Sequence, residues 1–310
     1  MTTLTRQHGF LHTAAIWLQA IRVFSLTASI IPVLLGAAWV FYEGTSTDWR
    51  LMPLIVVASL TIHAATNLVS EYFDYIKNVD KDYTFGGSRV IVEGKLSARQ
   101  ILLGGLFLFA LTAAIGLIFI YLRGWPILML GVIGMLGGIF YTAAPVGYKY
   151  FGLGDLMVFI LMGPLMVIGS YFVLTGTYNH NVLLVSMPIG CLVAAILSGN
   201  NLRDILHDTQ AGITTTAGLL GHRVARLEYS VLNIAAYVFL IILCTLGILP
   251  VLSLIALCTL PLAYIPTRSA LQSRPDNPAA IAALDVQTAK LHLAFGVLLI
   301  ISLIIGGFMR

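Results

Sequence analysis

Two stretches of this 310-residue chain place oxygen-bearing side chains at the ends of long apolar runs. The first run begins at Leu51 and ends in NLVSEYFD, with Asn67, Glu71 and Asp74 in its last turns. Steps of four and three residues put those three on one face of a helix. The second run ends in NNLRDILHD, with Asn201, Asp204 and Asp208 again at helical spacing. Asn67 and Asp74 map onto Asn201 and Asp208 at one offset of 134 residues (201 − 67 and 208 − 74). An ionisable group at membrane depth costs about 2.5–3.5 kcal/mol on insertion scales, so a stripe of them requires a partner. Carboxylate and amide oxygens converging on one spot suit a hard divalent cation. Two such turns imply pseudo-related halves facing each other across one polar site.

The elements that must position these turns follow from composition. The chain is 59% hydrophobic and 10% charged, with a mean hydropathy of +0.95; soluble domains carry about 25% charge. This is the composition of an integral membrane protein. The net charge of +4 comes from basic residues scattered over many loops, which gives no nucleic-acid surface. Cys191, Cys244 and Cys258 all fall in apolar runs, and an odd number of such thiols points to packing rather than a disulfide framework. The first apolar run is longer than the core of a signal peptide and lacks a small-residue cleavage site, so it is expected to remain as the first span.

With about 20 residues per span, the chain divides into nine helices at 14–42, 51–78, 98–123, 125–145, 154–176, 181–207, 227–247, 249–267 and 287–308. Pro32 and Pro188 sit within spans, where neighbouring helices compensate the lost hydrogen bond. No strand pattern competes. The expected fold is therefore all-α and polytopic, one domain over 1–310 with pseudo-related halves at about 1–150 and 151–310. Of the seventeen Lys and Arg residues, thirteen fall on the side shared by the N-terminus and the loops after helices 2, 4, 6 and 8. That bias places this side, and both acidic turns, in the cytoplasm.

Other residues join the candidates. After Asp74 come Asp80, Asp82 and the loop FGGSRVIVEGKLS, where glycines let the backbone approach a ligand and Arg89 and Lys95 are placed to hold an anion. Arg22, alone within the first span, needs an anionic partner or a watery cavity; a diphosphate would serve, and so would snorkelling to the interface. Tyr141 lies on the last turn of helix 4, ahead of Lys149 in a short connection, and is favoured over Tyr148 and Tyr150 for the site. His63 is one turn before Asn67 and reads mainly as a packed histidine; Asp155 reads as a helix cap.

Together, SEYFD followed by GGS…EG, YTAAP…GLG and NNLRDILHD…AG resemble the UbiA superfamily of intramembrane aromatic prenyltransferases over nearly the whole chain, and look most like its MenA branch. That resemblance implies Mg²⁺ held by Asn67, Glu71, Asp74 and Asp80 on one side and by Asn201, Asp204 and Asp208 on the other. Turnover would rest on Asp74, Asp204 and Asp208. Arg22, Arg89, Tyr141, Lys149 and Arg203 would bind a polyprenyl diphosphate, and aromatic faces such as Tyr72 and Phe73 would stabilise an allylic cation. The implied acceptor is 1,4-dihydroxy-2-naphthoate, and the implied partner is membrane lipid around the prenyl tail. Three positions depart from the pattern: Ser70-Glu71 replaces Asn-Asp, Asn78 replaces an acid, and Gly212-Ile213-Thr214-Thr215 replaces Gly-Lys-x-Thr. A membrane terpene cyclase and a transporter with midplane charges are the alternatives.

Overall fold

The computed structural model describes residues 12–79 and 87–310; Asp80 and Asp82 lie outside the described residues. The described chain is helical and carries one isolated bridge, Phe151 to Thr214, in place of any sheet. A helix over 12–20 (α1) is followed by α2 (Thr27–Glu43), α3 (Met52–Ile76), α4 (Ala98–Arg123), α5 (Trp125–Ile139), α6 (Gly154–Thr175), α7 (His180–Gln210), α8 (Thr216–Thr245), α9 (Val251–Gln272) and α10 (Leu284–Phe308). Among the described residues eight of these, α2 with its leading turn and all of the others but α1 and α5, are long and apolar enough to cross a membrane. The fifteen-residue α5 is the ninth.

The exterior is apolar, with Phe107, Leu117 and Val251 about two-thirds exposed or more, whereas Glu71, Asp74, Asp204 and His292 are buried. That inversion suits lipid as the surrounding solvent. Helices begin where the local chemistry satisfies their free amides. Ser97 and Gln100 form a reciprocal capping box at α4, Asn179 caps α7, and Thr215 caps α8. The Thr215 cap explains why α8 starts well before the expected residue 227. The added turns, with a kink at Gly221, carry His222, Arg223 and Arg226 ahead of the apolar span. Where α6 crosses α7, a Cβ on Gly163 would stand 2.6 Å from the Gly190 Cα, so this crossing requires a small residue. A π turn over Leu161–Leu165 lies at that same crossing.

The first expected helix, 14–42, is not continuous. It breaks at Ile21 and Arg22, where Arg22 takes a left-handed backbone (φ 56°), and resumes through the turn Val23–Leu26. Arg22 therefore stands at a break between two helices rather than inside a span.

Candidate active site

The 134-residue offset extends from side chains into backbone. At the end of α3, Val79 N–H donates to the Asp74 carbonyl (2.9 Å) and Asn78 N–H to Tyr75 (3.1 Å). At the end of α7, Ile213 N–H donates to Asp208 (3.0 Å) and Gly212 N–H to Thr209 (3.1 Å). Both ends are Schellman caps, closed by a left-handed residue: Asn78 (φ 55°) and Gly212 (φ 72°). Asn78 thus has a conformational reason to be there, because asparagine tolerates the left-handed region better than other non-glycine residues. The asparagines correspond as well. Asn67 Nδ2 donates to the carbonyl of residue 21, and Asn201 Nδ2 to the carboxylate of residue 155, positions again 134 apart.

The break at Arg22 costs about 1–2 kcal/mol for its left-handed backbone and takes the Ile21 and Arg22 carbonyls out of the regular helical ladder. Asn67 Nδ2 covers Ile21 O at 2.9 Å, and Ser25 covers Arg22 O with both its backbone N–H and its hydroxyl, each at 2.8 Å. The nitrogen of Asn67, expected as a metal ligand, thereby closes the break, and the amide oxygen is what it offers a cation. The break sends Arg22 Nη2 to Glu71 Oε2 at 3.1 Å, where the backbone N–H of Ser88 also donates at 2.8 Å.

Asp74 is more crowded still. Its Oδ2 receives Lys149 Nζ (2.8 Å) and Ser70 Oγ–H (3.1 Å), and its Oδ1 receives Tyr150 O–H (2.8 Å). Burial acts to lower the Lys149 pKa, but Asp74, helped by Tyr141 and Tyr150, overrides it and holds the ammonium well above the ordinary lysine value. Burial pushes the Tyr141 hydroxyl up to about 12, so it stays a neutral donor.

The same connection draws in the other half. Thr214 N–H donates to the Tyr150 carbonyl at 3.3 Å, and Asp208 lies within electrostatic reach of Lys149, Asp204 and Asp74. The two acidic helix ends therefore meet around the 148–151 turn, at one end of the bundle. The opposite ends of α2, α6, α7 and α10 meet around a different cluster, in which Tyr171 and Asn179 both donate to Glu43.

Four expected roles need correction. Arg203 is buried with its Nε and Nη2 on the two oxygens of Asp204 (2.9 and 2.7 Å), its Nη1 on Asp285 (3.0 Å) and the Ala282 carbonyl (3.2 Å), and Nη2 also on Asn200 (2.7 Å). This guanidinium ties α7 to α10, and Asp204 is its counterion, so both carry a structural contact that the spacing did not give. Arg89 is part-exposed and paired with Glu93 at 3.6 Å, while the neighbouring backbone amide makes the loop's contact with Glu71. Asp155 does not cap its helix; it is buried in the first turn of α6 and accepts from Asn201 at 3.1 Å. Tyr150 was passed over in favour of Tyr141, Asp155 was read as a cap and Asp285 was not singled out, because single polar residues beside helix ends carry no spacing signal.

Above the meeting point lies a cavity of about 630 Å³. Arg22, Asn67, Ser70, Tyr141, Lys149, Asn200 and Asp285 contribute to its polar lining, and side chains of α3 to α6 such as Leu117, Ile120, Leu136 and Leu165 make its apolar walls. Tyr141 and Tyr148 both line it, edge to face at 5.5 Å. Tyr72 and Phe73 pair with each other at 5.2 Å and do not line it; Phe24, Phe119, Tyr141 and Tyr148 are its aromatic lining.

The donors here suit a hard cation in type. All are oxygens, and the buried Asn201 Oδ1 accepts no hydrogen bond from the described residues. Among the described residues no three Asp, Glu, His or Cys side chains converge on one ion. Magnesium commonly uses one or two carboxylates and completes its shell with water and substrate phosphates, so this arrangement fits that ion better than an all-protein cage.

Comparison with known proteins places the chain. Residues 29–294 match the UbiA prenyltransferase family. The chain is 32% identical over 302 residues to UbiA prenyltransferase domain-containing protein 1 of Mus musculus, covering 97% of this chain and 87% of that one. It is 30% identical over 290 residues to 1,4-dihydroxy-2-naphthoate octaprenyltransferase of Bacillus subtilis, covering 94% and 92%. Its fold resembles that of a UbiA homolog from Archaeoglobus fulgidus bound to GPP and Mg²⁺ (TM-score 0.63, 16% identity, 92% and 99% covered). It also resembles a UbiA homolog from Aeropyrum pernix K1 (TM-score 0.67, 18% identity, 91% and 96% covered). The chain belongs to the UbiA family and is an integral membrane prenyltransferase.

Proposed function

We propose that this prenyltransferase moves a polyprenyl group from a polyprenyl diphosphate to an aromatic quinone precursor, 1,4-dihydroxy-2-naphthoate, in an Mg²⁺-dependent reaction at the cytoplasmic side of the membrane. The observation that carries this reading is a single cavity with a cationic end, Arg22 and Lys149 over Glu71 and Asp74, and apolar walls beyond it. A diphosphate and an isoprenoid chain are such a pair of chemistries on one molecule. The likeness to a naphthoate octaprenyltransferase along nearly the whole chain supports the acceptor, and the cytoplasmic bias of the basic loops supports the orientation.

In this reading Arg22 and Lys149 hold the diphosphate oxygens through charge-assisted hydrogen bonds, and the neutral Tyr141 hydroxyl adds a donor. Asp74 and Asp208, with Glu71 and the amide oxygens of Asn67 and Asn201, would hold Mg²⁺; Asp80 is proposed with them from the sequence alone. The ion, when bound, supplies charge neutralisation for the departing pyrophosphate. The carbon–oxygen bond to the diphosphate breaks with its electron pair on pyrophosphate, the ring carbon of the acceptor forms the new bond, and that carbon's substituent leaves without its bonding pair. The faces of Tyr141 and Tyr148 are placed to stabilise positive charge on the allylic group.

Purified protein with Mg²⁺, dihydroxynaphthoate and prenyl diphosphates of several lengths tests this. Prenylated naphthoquinol and stoichiometric pyrophosphate are expected. A cyclic hydrocarbon or alcohol formed equally well without acceptor would overturn the transfer reading in favour of cyclisation.

A further inference from the structure

His63 is a titratable residue of the cavity to which the mechanism gives no task. It is nine-tenths buried on α3, one turn before Asn67. Its Nδ1 lies 2.6 Å from Ser29 Oγ and its Nε2 lies 3.3 Å from Ser25 Oγ. Ser25 Oγ also accepts from Asn67 Nδ2 at 3.1 Å and stands 2.8 Å from the Arg22 carbonyl.

A serine hydroxyl has one proton to give. The Arg22 carbonyl, which also takes the Ser25 backbone N–H at 2.8 Å, can only accept, and the Ser25 hydroxyl donates to it. His63 must then donate from Nε2 to Ser25 and accept at Nδ1 from the Ser29 hydroxyl. The protons run one way, from Ser29 through His63 and Ser25 to the carbonyl of Arg22. That carbonyl belongs to a non-glycine residue in the left-handed region, a conformation that persists only where its surroundings enforce it.

We infer that His63 is a positioning residue for diphosphate binding: through Ser25 it pins the Arg22 backbone in the left-handed conformation that aims the guanidinium at Glu71 and the cavity. The inference rests on Arg22 being a diphosphate ligand, as proposed above. Both ring nitrogens of the histidine face serine hydroxyls. Leucine at 63 removes the Nε2 donor while keeping the volume nearly filled. Glutamine places an amide N–H close to where Nε2 stands and restores the donor.

The test is calorimetric titration of the detergent-purified full chain with inorganic pyrophosphate in Mg²⁺. Arg22→Gln is expected to weaken binding at least tenfold; unchanged binding there would remove Arg22 from the proposed site and overturn the inference with it. Given that loss, His63→Leu should weaken binding about tenfold, His63→Gln should stay within about threefold of the parent, and His63→Leu combined with Arg22→Gln should bind no more weakly than Arg22→Gln alone. Parent-like binding by His63→Leu, failure of His63→Gln to restore it, or multiplication of the two losses in the double variant would each overturn the positioning role while leaving Arg22 in the site. Should His63→Leu fail to fold, Ser25→Ala removes the same final donor and must show the same dependence on Arg22.

Discussion

Lys149 holds its ammonium 2.8 Å from Oδ2 of Asp74, joining residues 75 positions apart in the chain. The contact does two things at once. It neutralises a carboxylate buried at a helix end, and it ties the α5–α6 connection, with the Thr214 segment hydrogen-bonded to it, to the end of α3.

Removing one partner of a buried ion pair leaves the other uncompensated, at a cost of about 3–5 kcal/mol. Lys149→Met is therefore expected to lower the thermal midpoint of the purified protein clearly, and Asp74→Asn in the Lys149→Met background to recover most of that loss. Midpoints measured in one detergent decide this; a double variant less stable than Lys149→Met would show that the pair is not the source.

The pH dependence of that contribution follows from the raised Lys149 pKa. A lysine whose pKa is higher folded than unfolded contributes fully below the unfolded value, near 10.4, and loses the contribution as pH rises toward the folded value. The stability difference between parent and Lys149→Met should thus be flat from about pH 6 to pH 9 and shrink only above about pH 10.4. A difference that shrinks between pH 6 and 8 would contradict the assignment.

Among the described residues no cation bonds Asp208 as Lys149 bonds Asp74, and this separates the two acids experimentally. Asp208→Asn is expected to lower turnover by about 10²–10³-fold, the range for loss of one preorganised electrostatic group, with an unchanged thermal midpoint. Asp74→Ala should lower both, since it strands Lys149 and removes the acceptor of Tyr150. Steady-state kinetics with melting curves on the same preparations check the split.

Arg203 should behave as a structural residue. Its guanidinium satisfies Asp204, Asp285, Asn200 and a carbonyl at once, a fork that lysine cannot reproduce. Arg203→Lys is expected to destabilise nearly as much as Arg203→Met, by about 3–5 kcal/mol. The folded fraction of Arg203→Lys should retain most of the parent's affinity for Mg²⁺ pyrophosphate.

Much of this fold was legible in the sequence because membrane spans are read from length and hydropathy, and the acidic turns from a helical period. The 134-residue offset of Asn67 and Asp74 from their counterparts is accompanied by matching caps at the two helix ends, which the side-chain spacing did not foretell. What the sequence could not reveal was which partner each polar group takes. Asn67 and Asn201 looked like paired metal ligands, yet their amide nitrogens secure residue 21 and residue 155. Arg203 looked like a phosphate donor because it sits inside the acidic motif, but Asp285, 82 positions later, claims it together with Asp204. The break at Arg22 was invisible because no proline or glycine marks it; it depends on Ser25 and on an asparagine from another helix.

The most direct test of a metal–diphosphate site shared by two helix ends is titration of the purified protein with a non-hydrolysable prenyl thiolodiphosphate, with and without Mg²⁺, in the parent, Asp74→Asn and Asp208→Asn. Binding that requires Mg²⁺ and is lost in both variants is the predicted result. Mg²⁺-dependent binding that survives intact in either one would contradict a site built from both ends.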